Sequence, residues 1–189
     1  YEHLAQVLDQ ELGVEPTAST QRLKEEIGTR RAEEPALNAE LWERVGDLRV
    51  LSGDGMGAAK AFTAALDADL DPERSARVER KCAEAWLMQH RTEMAARHLD
   101  AAERCGADPA QRARLLRAKA NLAWMTGQIP EARQLAEASR DLAAEVGTPD
   151  DLAAAREAIA IVSHLEGEWR VGLESELERL ASAESDGSE

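Results

Sequence analysis

The sequence predicts an all-α protein, a solenoid of about five antiparallel helical hairpins. Three observations lead there. Alanine, leucine, glutamate and arginine dominate, while Tyr1 and Phe62 are the only residues of their kinds. Strands favour β-branched and aromatic residues, whereas this composition favours helix. A helix-start device, an N-cap acid or threonine followed by proline, stands at Asp71-Pro72, Asp108-Pro109 and Thr148-Pro149, at spacings of 37 and 40 residues. Between these starts, breakers centre on Gly53, His90, Gly127 and Gly167, at spacings of 37, 37 and 40, with His90 in the place of a turn glycine. A near-constant period in this range marks stacked helical repeats, which grow by adding units rather than by enlarging one core.

The elements follow in order. The expected helices are roughly 1–12, 18–29, 35–52, 56–69, 72–89, 92–105, 109–126, 130–146, 149–165 and 169–183. Residues 29–36, with Arg30-Arg31 and Pro35, form an expected boundary between a terminal hairpin (1–29) and a repeat region (36–183). Residues 184–189 form a polar, acidic tail. The chain opens with Tyr1 in mid-helix pattern and reads as a piece of a longer protein.

In the second hairpin, Trp42-x-x-Val45-Gly46 is followed by Gly53, Ala58, Phe62 and Ala65. This resembles the pattern of tetratricopeptide repeats. The resemblance implies a right-handed α-solenoid in which Gly46 and Ala58 permit close helix approach and Trp42 and Phe62 fill the space between hairpins. The family's tyrosine position is Arg49 here. Later hairpins match more loosely, with Ala83, Ala95, Leu99 and Ala102 in the small, small, large and small places, then Ala120, Gly127, Ala132, Ala136 and Ser139, and then Ala160, Gly167 and Trp169. The last departs, with Gly172 and Glu176 where alanine and a bulky residue belong. By the same register Trp86 and Trp169 are expected in the core, and Trp124 sits between core and inner face. The first hairpin, with Leu4, Leu8 and the run Glu11-Leu12-Gly13-Val14-Glu15-Pro16 before Leu23 and Ile27, resembles the closing hairpin of the bacterial transcriptional activator domain. That domain belongs to antibiotic-regulatory-type transcription factors, so the resemblance implies a winged DNA-binding domain upstream.

Charge and motif content exclude several functions. The net charge of −14, from 37 acids and 23 bases, repels phosphate backbones, so direct nucleic-acid binding is not expected. No apolar run approaches a membrane span and no leader is visible. Cys82 and Cys105 lack CxxC spacing, which points to a reducing, cytoplasmic setting and not to a disulfide framework. No phosphate-loop, dinucleotide, nucleophile-elbow or zincin motif occurs, and Gly53-x-Gly55-x-Gly57 joins two helices as a turn. Cys82, His90, His98 and Cys105 are spaced by 8, 8 and 7 residues, unlike metal ligands, and they read as structural thiols and surface imidazoles. No catalytic residue, cofactor or metal is therefore expected, and the chain is not read as an enzyme.

The tetratricopeptide resemblance implies that the first helix of each hairpin lines a concave surface. Counted from Trp42, that lining includes Glu40, Glu43, Asp47, Val50 and Leu51, then Arg77, Arg80, Glu84, Leu87 and Met88, then Arg114, Arg117, Asn121, Trp124 and Met125, and last Ile161, His164 and Leu165. The candidate partner-binding groove is Arg77, Arg80, Leu87, Met88, Arg114, Arg117, Asn121, Trp124 and Met125. Guanidinium forks suit carboxylates, so an acidic peptide is one expected ligand. The ordinary alternative is a salt-bridged solvent face, for which Glu43, Asp47 and Glu84 are placed to pair with the arginines. The expected function is a protein- or peptide-binding scaffold in a larger bacterial transcriptional or signalling regulator, engaging a partner or other domains of its own chain. The rivals are a regulatory arm of an ATPase-type switch protein and a structural oligomerisation module.

Overall fold

Alternation of small buried residues with caps and left-handed turns builds this chain. The computed structural model describes residues 38–170, 172–174, 177, 180 and 181. The expected helices at 1–12 and 18–29, the activator-domain resemblance, Glu176 and the 184–189 tail lie outside the described residues. Eight helical segments occur among the described residues, with no strand among them. They are α1 (38–51), α2 (Gly55–Leu66), α3 (Pro72–Leu87), α4 (Thr92–Cys105), α5 (Pro109–Met125), α6 (Ile129–Val146), α7 (Pro149–Leu165) and α8 (from 169). Contacts join sequence neighbours, α2 to α3 through α6 to α7, and also α3 to α5 and α5 to α7. The fold is therefore an all-α, solenoid-like array of hairpins in which α3, α5 and α7 form an inner row of first helices.

The starts and turns have local causes. Asp54, Asp71 and Asp108 accept hydrogen bonds from the backbone N–H three residues on, at 2.8, 2.9 and 2.8 Å, which satisfies a helix-end donor. Thr148 and Asp151 form a reciprocal capping box at the start of α7. Each hairpin turn passes through one left-handed residue: Gly53 (φ 77°), His90 (φ 54°), Gly127 (φ 79°) and Gly167 (φ 81°). His90 thus takes the glycine role in its turn, against a steric cost of about 1–2 kcal/mol for an L-residue.

Packing is dominated by alanine. The core includes Ala58, Ala59, Ala65, Ala83, Ala95, Ala118, Ala120, Ala132, Ala136 and Ala155, each 0% exposed, with Phe62 and Leu99 as its largest members. A Cβ added at Gly46 would lie 2.3 Å from the Phe62 ring, so the Phe62 ring of α2 seats directly against the α1 backbone. Trp86 is partly buried and packs on the clusters of both neighbouring hairpins, as expected.

Trp42 and Trp169 correct the expectation. They are 44% and 67% exposed. On α1 the buried stripe is Ala39, Glu43 and Gly46. Glu43 marks the side turned to α3, and Trp42 lies on the opposite margin. Trp169 stacks instead on His164, with ring centroids 5.0 Å apart. The same imidazole explains the anomalous Gly172, where a Cβ would sit 2.8 Å from the His164 ring.

Ala58→Leu should destabilise the chain by about 1–3 kcal/mol through overpacking. Chemical denaturation measures this, and an unchanged midpoint would contradict the interface described.

Candidate functional site

The inner row of first helices carries the residues singled out by sequence, and the structure shows what each one touches. Arg77 on α3 donates from Nε and Nη2 to Glu43 on α1, at 2.9 and 3.2 Å. Lys81 donates to the same carboxylate at 2.9 Å and to Asp47 at 2.8 Å. Arg80 donates to Glu84 at 2.7 Å within α3, and Arg117 on α5 reaches the other oxygen of Glu84 at 2.6 Å. Arg114 on α5 grips Asp151 on α7 with two bonds of 2.6 and 2.9 Å. The cross-helix pairs link residues 34, 33 and 37 positions apart, about one repeat each. They form a ladder of ion pairs from α1 to α7.

This ladder corrects the expected positive patch. All four arginines lie on the inner row, but each guanidinium is engaged by a carboxylate, with Arg80 and Arg117 sharing Glu84, and Arg80 is buried at 6% exposure. Leu87 is a core residue at 7%. Met125 and Trp124 are partly buried against core clusters, and Asn121 accepts a 3.4 Å bond from the Trp124 indole. Met88, 41% exposed, is the member of the expected set that stands most clear of the core.

The electrostatics follow from the pairing. Burial alone pushes Glu43 up, but its bonds from Arg77 and Lys81 outweigh that and hold its pKa below the usual range. The Arg114 fork, with help from Thr148, holds Asp151 down at about 2. Asp151 therefore serves two ends at once, capping α7 and tying it to α5.

What stands clear of the ladder is apolar. Val50 and Leu51 at the end of α1, Met88 after α3 and Leu165 at the end of α7 are 36%, 84%, 41% and 52% exposed. They occupy matching places at the C-terminal ends of first helices, with Met125 between Met88 and Leu165 in sequence. Because neighbouring first helices lie side by side, these ends share one edge of the inner row.

His98, expected as a surface imidazole, instead joins the structural thiol Cys82 and Glu79 in a second cluster. The buried Cys82 thiol lies 3.5 Å from His98 Nε2, and His98 Nδ1 lies 2.6 Å from Glu79 Oε2. His98 thus bridges α4 to α3. Its pKa rises from 6.5 to about 9, held up by Cys82 first and Glu79 second against the cost of burial. The i, i+3 placement of Glu79 and Cys82 on one helix face is the sequence signal for this cluster. No group of histidine, cysteine and carboxylate ligands suited to a metal occurs among the described residues. Cys82 and Cys105 are both free thiols.

The fold and this site define a class, an all-α helical-repeat array whose inner row is cross-linked by ion pairs and edged by apolar side chains. Searches against protein-family models and against curated proteins find no match to the chain. No helix among the described residues is long and apolar enough to cross a membrane.

A raised folded-state pKa makes the His98 contribution fully present below about pH 6.5 and lost as pH rises through about 9. The stability difference between the wild-type chain and His98→Gln should therefore shrink between about pH 6 and 9.5 in denaturation titrations. A difference that stays constant over that range would contradict the assignment.

Proposed function

We propose that this segment is a tetratricopeptide-type scaffold that binds a protein or peptide partner through the edge of its inner row. The observation that carries the reading is the recurrence of exposed Leu51, Met88 and Leu165 at matching helix ends. The cores are complete without them, and clustered exposed apolar side chains mark interaction surfaces. Met88 adds an unbranched, polarisable side chain that adapts to varied ligands. Binding rests on surface complementarity and no bond chemistry. The setting is a cytoplasmic bacterial transcriptional or signalling regulator, supported by the activator-domain resemblance of residues 1–29 and by the free thiols.

Exposed apolar residues at both ends of the described array favour a second reading. Leu41, Trp42 and Leu48 on α1, and Leu173, Leu177 and Leu180 on α8, are 44–66% exposed. They suit docking of other parts of a longer chain or of a second copy, the regulatory-arm and oligomerisation alternatives. Sedimentation across a concentration series separates them, since only self-association depends on chain concentration.

Peptide-display selection against the 189-residue chain tests the first reading. Enriched peptides should carry apolar anchors and lose at least about ten-fold in affinity to a Leu51→Ser, Met88→Ser, Leu165→Ser variant of unchanged helicity. Because the edge is apolar and each ladder arginine is already engaged by a carboxylate, affinity should change little with salt. Enriched peptides that bind the triple variant equally well would remove the edge as the site.

A further inference from the structure

A cavity of about 440 Å³ opens on the second-helix side of the array, between the N-terminal halves of α4 and α6 and over the end of α5. Leu99, Leu122 and Leu135 line its floor, and Glu93, Asp100 and Glu131 its walls. The floor is firm, because Leu99 is 1% exposed and belongs to the core of the α3–α4 hairpin. The carboxylates differ from those of the inner row. Glu43, Glu84 and Asp151 are all engaged by cations, whereas Glu93, Asp100 and Glu131 make no hydrogen bond or ion pair among the described residues. Lys119, the one cation lining the cavity among the described residues, is drawn to Glu103 at 2.7 Å.

Glu93 and Glu131 stand in the first turns of α4 and α6, where the helix dipole favours acids. That accounts for neither Asp100, which lies two turns further along α4, nor an apolar floor beneath all three. A surface with an aliphatic floor and anionic walls matches side chains with aliphatic stems and cationic heads. Glu93 and Asp100 are seven residues apart on one helix face, about 10 Å at 1.5 Å per residue. A polyproline II segment advances about 3.1 Å per residue with three residues per turn, so cations three positions apart lie on one side and span about the same distance. The net charge of −14 steers basic segments toward such a site.

We propose that the α4–α6 cavity binds a basic segment of a partner polypeptide, with two arginine or lysine side chains about three residues apart. Their stems lie on Leu122 and Leu135, with Leu99 beneath, and their heads meet Glu93, Asp100 and Glu131. This site is separate from the inner-row edge, and each can fail without the other.

The test is fluorescence anisotropy of the full 189-residue chain with a labelled Arg-x-x-Arg peptide carrying apolar residues between the arginines. A matched peptide with glutamine at both arginines is the control. Saturable binding is expected, weakened at least ten-fold by Asp100→Asn with Glu131→Gln and by a rise from about 0.05 to 0.5 M salt. Leu51→Ser with Met88→Ser should leave it unchanged, as should Asp69→Asn with Glu145→Gln, which removes the same charge elsewhere. Circular dichroism confirms that each variant folds. Absence of saturable binding overturns the proposal, as does equal binding of the glutamine peptide. Equal loss in the Asp69 and Glu145 variant overturns it too, by reducing the effect to general attraction. Full displacement by a short aliphatic diamine at the peptide's own concentration range reassigns the cavity to small amines.

Discussion

Helix approach at the width of an alanine is the constraint on which this structure depends. Interaxial distance follows the size of the side chains at the crossing, and alanine or glycine holds most crossings here. Gly46 against the Phe62 ring is one such contact, and Ala58, Ala83, Ala95, Ala120 and Ala132 repeat the theme at 0% exposure. An alanine buries little area, so each junction gains modestly from apolar burial. Close approach also sends longer side chains to the margins of the crossing. On the inner row those margins hold arginine, lysine, glutamate and aspartate, and there the ladder forms. Its members are partly shielded, with Glu43 and Asp151 side chains only 9% and 12% exposed. Removing one partner thus leaves a shielded charge uncompensated, which costs more than breaking a free surface pair.

Much of this was legible from one sequence. The turn at His90 was placed by period alone, and its left-handed φ shows that position outranked residue type. The caps at Asp71, Asp108 and Thr148 were legible because proline at the first helical position leaves few other readings. Side-chain destinations were harder. Whether Arg114 faces open solvent or Asp151 depends on how far one hairpin is translated against the next, and several acids stand near the right spacing. Trp42 and Trp169 failed for a related reason. A repeat pattern names the position, but the neighbour decides whether a ring at the edge of a buried stripe is covered. Gly172 is the reverse case, an apparent defect that becomes a fit once His164 is seen above it.

The array thus separates its charges by face. Along the inner row the arginines are engaged by shared acids, and the edge proposed to meet a partner is the apolar run at Leu51, Met88 and Leu165. On the second-helix side, three carboxylates stay unengaged around an apolar floor. Within the α3–α4 hairpin, His98 adds a pH-dependent tie to Cys82 and Glu79. An acidic chain can in this way hold its hairpins together with the few bases it has and still present two chemically different surfaces.

The central claim is that the arginines of the inner row serve as ties between hairpins. A double-mutant cycle on Arg114→Gln and Asp151→Asn, read by equilibrium unfolding, tests it most directly, because the cycle cancels the separate role of Asp151 in capping α7. The account predicts a coupling of about 0.5–3 kcal/mol in favour of the pair. Additive single substitutions, with a coupling near zero, would contradict it and return Arg114 to the set of residues free to bind a partner.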